Sequence, residues 1–182
     1  ANIDARTQRG RLAGDASGVQ FALLPKTTRG QSVAASMTLR GGDLAALQGQ
    51  AEVAALMGAM LDKGSTDISR QQVQDKLDAL RTEVGIGFSS SEPGALMVNL
   101  RSRREHLPAA IELVGALLRK PAFDAAVLDE AKRQGIAGIE AQKKEPDAVL
   151  DEALSRHGNP HPRGDIRYPR SFDERLQDIA AV

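Results

Sequence analysis

The sequence has no cysteine and no tryptophan among its 182 residues, and aromatic side chains make up only 3% of it. Without cysteine the chain can form no disulfide, no thiolate nucleophile and no cysteine-ligated zinc site. With so few aromatic rings, a platform on which nucleotide bases stack is not expected. A cysteine-free chain is compatible with the cytoplasm and with the bacterial periplasm alike, so composition leaves the compartment open.

Neither sign of charge is in excess, because 24 Lys and Arg residues balance 24 Asp and Glu residues. Proteins that bind nucleic acid or an anionic membrane surface usually carry a basic excess, so we expect neither partner. No apolar run approaches the roughly 20 residues that a membrane-spanning helix needs. Hydrophobic residues at 41% and charged residues at 26% are typical of a globular chain that buries a core.

Apolar and polar residues alternate in four segments, which predicts four strands. The first two cover residues 19–23 and 33–39. The other two, residues 84–88 and 96–100, flank a turn at residues 92–94 and predict a hairpin.

Two helices are predicted between the strand pairs, because the apolar period there changes from two residues to about 3.6. The first spans residues 53–61 and is followed by a stop at Lys63 and Gly64. The second begins at Ser69, which forms a capping box with Gln72. The first helix is expected to face a sheet of all four strands through Val53, Met57, Met60 and Leu61.

Four further helices are predicted in the remainder of the chain. They are expected at residues 107–118, at 124–144 with Asp124 as N-cap, from Pro146 onward, and from Ser171, which forms a capping box with Glu174. The third of them is expected to bury Leu150 and Leu154. This order of strand pairs and helices indicates an α+β fold, with a sheet of paired, mostly antiparallel strands covered by helices.

The two ends differ from the middle of the chain. Residues 1–17 show little apolar periodicity and are predicted to be a linker or disordered start, followed by a single domain over residues 18–182. The chain begins with Ala1 and stops at Val182 within a predicted helix, so we expect a piece of a longer polypeptide. A complete small protein is the alternative.

Motifs of independent catalysis are missing from the sequence. It has no Gly-x-Ser-x-Gly nucleophile elbow, no phosphate-binding glycine loop and no dinucleotide fingerprint. His157 and His161, with Asp165 nearby, have a spacing that could place metal ligands on one helix face. Pro160 lies between them and opposes a helix there, so a surface turn is the preferred interpretation.

Residues 51–66, AEVAALMGAMLDKGST, resemble the first helix of the pitrilysin/insulinase family of zinc metallopeptidases. That family includes mitochondrial processing peptidase and insulin-degrading enzyme. Its active members carry His-x-x-Glu-His there, followed by Met, Leu and a Lys-Gly-Thr-like stop. In that motif two histidines one turn apart bind zinc, and the glutamate handles the proton of the attacking water.

The motif is degenerate in this chain. With the Met-Leu and Lys-Gly pairs as anchors, the two histidine positions are Ala55 and Ala59 and the glutamate position is Gly58. The resemblance therefore implies no catalytic, cofactor-binding or metal-binding residue in the chain itself. In the family a later helix supplies a glutamate as third zinc ligand, and Glu140 is the nearest match. Glu140 has no partner ligands, so a solvated helix residue is the preferred interpretation.

The resemblance extends over roughly residues 18–182. Further marks are residues 25–30, 118–123 and 145–147 and the Arg167-Tyr168 pair. Together they look most like the opening domain of the non-catalytic second half of a long periplasmic member, so the periplasm is the expected compartment.

The resemblance implies a domain that closes a substrate chamber and assists proteolysis of an extended peptide. Zinc is expected in a homologous catalytic domain or subunit, on the same polypeptide or on a partner. The alternative is a structural or assembly module of the same fold with no role in proteolysis. Whether the whole protein counts as a zinc endopeptidase depends on that other half.

Overall fold

The computed structural model describes residues 2–14, 18–89 and 92–182. The chain divides into two units, one ending at Ser32 and the other beginning at Val33. The predicted start of a single domain, residue 18, falls within the first of these units. Within the described residues, no helix combines the length and apolar character needed to cross a membrane.

The first unit contains a short helix, α1 (Ile3–Arg6), and two antiparallel strands, β1 (Gln8–Arg11) and β2 (Gln20–Leu23). Gly10 pairs with Phe21, and a Cβ atom at residue 10 would lie 2.7 Å from the Phe21 ring.

Much of the predicted linker is therefore ordered as helix and strand. Periodicity misses β1 because main-chain hydrogen bonds form this pair, and its polar side chains show no apolar alternation. Residue 1 and residues 15–17 of the predicted linker lie outside the described residues.

The second unit is built on a three-stranded sheet of β3 (Ser32–Arg40), β4 (Glu83–Phe88) and β5 (Ala95–Arg103), in the order β3-β5-β4. The β4–β5 pair is antiparallel, with Val84 opposite Leu100, which confirms the predicted hairpin. The expected sheet of four strands is wrong, because β2 pairs with β1 in the first unit.

Among the described residues of this unit there are six helices, two between β3 and β4 and four after β5. They are α2 (Ala51–Met60), α3 (Arg70–Ala79), α4 (Leu107–Arg119), α5 (Ala125–Gln142), α6 (Pro146–His157) and α7 (Phe172–Ala181). Both predicted capping boxes form, at Ser69 and at Ser171, and Asp124 accepts hydrogen bonds from two backbone N–H groups of α5. The α+β class is confirmed.

The main core lies between the sheet and α4. Val98 and Leu100 of β5 contact Ala110 and Val114 of α4. A second cluster joins α3 to α4 through Val73, Leu113 and Leu117, and the Leu117 side chain is only 1% exposed. For α4 the periodicity indicates Leu107, Ile111, Val114 and Leu118, of which only Val114 is fully buried. Ile111 is 54% exposed, and the buried side is completed by Ala110, Leu113 and Leu117 instead.

Helix α2 presents a different face from the one predicted. Of the four residues expected to face the sheet, Met60 and Leu61 are buried, Met57 is half-buried and Val53 is 39% exposed. The buried face begins instead with Glu52, which lies one helical turn before Leu56.

Helix α6 also departs from the prediction. Leu150 and Leu154, expected to be buried, are 55% and 60% exposed. The side of the helix that meets the rest of the unit carries Glu152 and Arg156, whose polar contacts hold the helix in this orientation.

Candidate functional site

The three positions matched to the zinc motif lie on α2, which contacts β4, α5 and α7. Ala55 and Ala59 are one turn apart on an exposed side of the helix, whereas Gly58 is buried. The histidine positions and the glutamate position therefore lie in different environments. Methyl groups and a bare backbone offer no ligand atoms and no proton carrier.

Gly58 lies against the backbone of β4. A Cβ atom at residue 58 would be 3.2 Å from Gly87 Cα, 3.2 Å from Phe88 N and 3.4 Å from the Phe88 ring. Two of these neighbours are strand backbone, which yields little, because it is fixed by its hydrogen bonds to β5. Glycine at 58 thus allows helix and strand to approach closely, and a Cβ atom at this position would require the two backbones to move apart by a few tenths of an ångström.

Ala59 borders a cavity of about 210 Å³ that α2 shares with the start of α3 and with α5. The charged side chains that line this cavity form ion pairs with one another. Lys63 Nζ lies 2.9 Å from Asp62 Oδ1, and Arg70 Nη1 lies 2.9 Å from Glu130 Oε2. The cavity therefore offers paired charges and small apolar groups rather than an open set of carboxylates.

Glu140, the nearest match to a third zinc ligand, lies near the end of α5. Its carboxylate is 4.0 Å from Lys143 Nζ, which donates a shorter hydrogen bond of 2.8 Å to Asp173. That bond to Asp173 is the main cause that raises the pKa of Lys143. Glu140 thus belongs to a surface charge cluster.

The residues of this chain do not fit a zinc ion at the former motif. Across residues 2–14, 18–89 and 92–182, no three His, Asp or Glu side chains are grouped closely enough to hold a metal ion. The donor set that the family motif requires is replaced by two alanines and a glycine. We therefore derive no chemical step through a metal at this site.

The second candidate metal site consists of His157, His161 and Asp165, at and after the end of α6. α6 ends at His157, and the chain after it is irregular, so His161 does not share a helix face with His157. Asp165 forms a two-point ion pair with Arg167 at 2.7 and 2.8 Å. This pairing holds the pKa of Asp165 well below its usual range, so the carboxylate is engaged.

A partly buried ion pair joins α2 to α7. Glu52 Oε1 accepts a hydrogen bond of 2.8 Å from Arg175 Nε, and the Glu52 side chain is only 10% exposed. The partners are far apart in sequence, and helical periodicity gave no signal for the pair. It fixes α7 against the same helix that carries the degenerate motif.

A polar network holds α6 against the start of α7, and sequence analysis found only its capping box. Glu174 accepts hydrogen bonds from the Ser171 backbone N–H at 2.7 Å and from Arg156 at 2.9 Å. These bonds lower the pKa of Glu174 to about 2, the Ser171 bond contributing most. Arg156 also lies 5.3 Å from the Tyr168 ring centroid, and Glu152 accepts from the Phe172 N–H at 2.8 Å.

The side of the sheet opposite α4 carries a shallow hollow of about 500 Å³. Ser36 of β3 donates a hydrogen bond of 3.0 Å to Asn99 of β5 there, and Gly85 of β4 adds no side chain. Arg101 and Glu83 pair at its rim at 3.4 Å. The hollow has both polar and apolar lining residues, and its two charged side chains are paired.

Known structures share this fold. An inactive peptidase M16 domain from Pseudomonas fluorescens superposes with a TM-score of 0.72 at 19% identity, over 96% of this chain and 42% of its own. A protease from Helicobacter pylori gives 0.73 at 10% identity, over 97% and 40%. The periplasmic protease PqqL from Escherichia coli gives 0.64 at 10% identity, over 98% and 21%.

These likenesses show the fold. Peptidase M16 is the pitrilysin/insulinase family, so the expected resemblance is confirmed in three dimensions. The chain spans less than half of the length of each of these proteins. Comparison with models of protein families and with curated proteins found no match.

Proposed function

We propose that this chain is a non-catalytic domain of a zinc peptidase, acting beside a separate homologous domain that carries the metal. One observation carries the proposal. A chain with the fold of an inactive M16 domain has close helix–strand packing at Gly58, where the family motif has its catalytic glutamate.

The glycine at the glutamate position of the motif fits a packing role better than a damaged active site. Gly58 lets α2 approach β4, and Glu52 on the same helix binds Arg175 of α7. Both contacts use α2 as a structural element between the sheet and α7. A helix kept for packing preserves the fold while the chemistry is carried elsewhere.

The proposed role is to close a substrate chamber opposite the zinc-bearing domain and to help hold an extended peptide. The structural neighbours are more than twice as long as the part matched here, which supports a further domain beside this one. We also propose the bacterial periplasm as the compartment, which the likeness to a periplasmic protease supports. Zinc would belong to the other domain.

The test is a peptide-cleavage assay with three arms: this chain alone, the His-x-x-Glu-His domain encoded with it, and the mixture. We expect no cleavage by the chain alone, weak cleavage by the zinc domain and a clear increase on mixing. A zinc domain with its first histidine replaced by alanine is the control, and its mixture should be silent.

Two results would count against the proposal. Chelator-sensitive cleavage by the chain alone would show that it has its own active site. Binding to the zinc domain without any gain in cleavage would favour the structural or assembly module instead.

A further inference from the structure

Strand β3 lies at one end of the three-stranded sheet, and within the described residues it has a neighbouring strand on one side only. It is nine residues long, and Ser32 and residues 34–40 are exposed. The outer edge of a strand presents a row of backbone N–H and C=O groups to which another extended chain can hydrogen-bond.

This edge lacks the features that usually protect an edge strand from such pairing, which are charged side chains, proline, a bulge or short length. Residues 32–39, SVAASMTL, contain no charged residue, no proline and no glycine. Strand β4, at the opposite end of the sheet, differs, because its six residues include Glu83, Gly85 and Gly87. β3 is therefore the end of the sheet that is better suited to continue it.

The pairing of β3 with β5 shows which backbone groups of β3 point outward. The Gly41 N–H, directly after β3, donates a hydrogen bond of 3.1 Å to the Gly94 carbonyl, directly before β5. Hydrogen bonding alternates along an antiparallel strand, so every second residue back from Gly41 bonds to β5. The N–H and C=O groups of Ala34, Ser36 and Thr38 therefore point away from the sheet.

The backbone of this edge is complementary to itself. When two β3 strands pair antiparallel over their whole length, Ser36 lies opposite Ser36 of the second copy, because residue 36 is the midpoint of the strand. This pair is hydrogen-bonded, since both residues have outward backbone groups, and so is the pair of Ala34 and Thr38. The groups that are free on one copy are thus the ones that the other copy requires.

The side chains also match in this register. Val33 lies opposite Leu39 and Ala35 opposite Met37, so each larger apolar side chain meets a smaller one. Met37 and Leu39 are 40% and 42% exposed in the single chain. Pairing would bring these apolar side chains together along one side of the joined sheet.

No like charges meet in this pairing. Arg40 is the only charged residue of β3, lies opposite Ser32 and is paired within its own chain to Glu92 at 2.7 Å. A two-fold interface requires a surface that complements itself, and β3 does so in backbone direction, side-chain size and charge. These three features together select a second copy of the chain as the occupant.

We propose that this chain forms a two-fold dimer in which the β3 strands pair antiparallel about Ser36 and join the two three-stranded sheets. The contact involves neither α2 nor the positions of its degenerate motif. The inference therefore goes beyond the proposed function and is tested separately from it.

The first experiment is disulfide cross-linking, which is selective because the chain has no cysteine of its own. In the proposed dimer the two Cα atoms of residue 36 lie about 5.5 Å apart, within the range that a disulfide spans. Ser36→Cys should therefore give a covalent dimer on mild oxidation. Thr38→Cys is the matched control, because residue 38 is also exposed and lies on the same side of β3 but is opposite residue 34. It should remain monomeric on a non-reducing denaturing gel.

The second experiment uses charge and measures dimerisation by sedimentation velocity. The unchanged chain should dimerise with rising concentration. Ser36→Lys and Ser36→Glu each place like charges opposite one another and should weaken dimerisation by about tenfold or more. An equimolar mixture of the two variants should recover the dimer, because opposite charges then face each other. Circular dichroism checks that each variant is folded.

The outcomes decide the proposal. Cross-linking of Ser36→Cys but not of Thr38→Cys, with recovery of the dimer in the mixture, is the expected result. An unchanged chain that stays monomeric at every concentration would overturn the proposal and leave the proposed function unaffected. Equal cross-linking of the two cysteine variants, or none in either, would exclude this register. A dimer that the charge variants leave intact would use another surface and would also overturn the proposal.

Discussion

Helices α4 and α6 are both amphipathic, yet they are held in place by opposite sides. α4 packs its apolar side against the sheet and α3, with Val114 and Leu117 almost fully buried. α6 uses charged groups, Glu152 and Arg156, and leaves Leu154 exposed. The same sequence signal, an apolar stripe at helical spacing, thus corresponds to a core in one helix and to an outer surface in the other.

The difference teaches what helical periodicity can and cannot predict. It identifies the apolar stripe, but it does not say which side meets the protein. For α4 no competing set of polar contacts exists among the described residues around Leu113 and Val114, so burial decides. For α6 several charge-assisted hydrogen bonds converge on one side, and the expected burial of Leu150 and Leu154 is wrong.

The largest expected effect is on the free energy of unfolding, when a buried leucine of α4 is compared with an exposed leucine of α6. Leu117→Ala removes a side chain that is 1% exposed, and we expect it to lower the free energy of unfolding by about 2–5 kcal/mol. Leu154→Ala, at 60% exposure, should change it by less than about 0.5 kcal/mol. Urea denaturation followed by circular dichroism measures both. Equal losses would mean that α6 is buried in this chain after all.

A smaller change in stability is expected when either of two helical glycines with different surroundings is replaced by alanine. Gly58→Ala adds a methyl group against the β4 backbone and should destabilise by about 1–3 kcal/mol. Gly138→Ala in α5 has nothing within 4 Å of the added atom and should stabilise by roughly 0.5–1 kcal/mol through helix propensity. The two melting temperatures should therefore move in opposite directions. A stabilised Gly58→Ala variant would contradict the close packing of α2 on β4.

The smallest expected effect is on the pH dependence of stability. It distinguishes the charge-assisted hydrogen bonds that hold α6 from the apolar packing that holds α4. The pKa of Glu174 falls from 4.5 to about 2 in the folded chain, so the unfolded chain binds this proton more readily. The stability contributed by Glu174 is therefore present above about pH 4.5 and is lost as the pH falls towards 2.

Glu174→Gln tests this contribution, because glutamine keeps the capping box but does not titrate. Its unfolding free energy should fall less between pH 5 and pH 2 than that of the unchanged chain. Leu117→Ala should shift the whole curve and leave its slope unchanged. Parallel curves for the glutamine variant and the unchanged chain would mean that the α6–α7 network contributes no pH dependence.

Local signals predicted much of the fold. The capping boxes at Ser69 and Ser171 and the N-cap at Asp124 involve residues within three positions of each other, and all three form. The β4–β5 hairpin follows from alternation on both sides of one turn. These features depend on neighbouring residues, which the sequence shows directly.

Features that depend on distant partners were missed. Glu52 replaces Val53 on the buried side of α2 because Arg175, far along the chain, neutralises it. Strand β1 pairs with β2 through main-chain groups, which leave no apolar pattern in its side chains. At the candidate site, the sequence identified Ala55, Gly58 and Ala59, but only the structure shows that Gly58 is in close contact with Gly87.

The central claim is that α2 lacks the zinc ligands of the family motif and packs on β4 through Gly58, at the position of the motif's glutamate. Its most direct test is the zinc content of the purified, untagged chain after incubation with zinc and removal of the excess. We expect far less than one zinc per chain, because Ala55, Gly58 and Ala59 supply no ligand atoms. One zinc per chain, lost in the Glu140→Gln variant, would contradict the account.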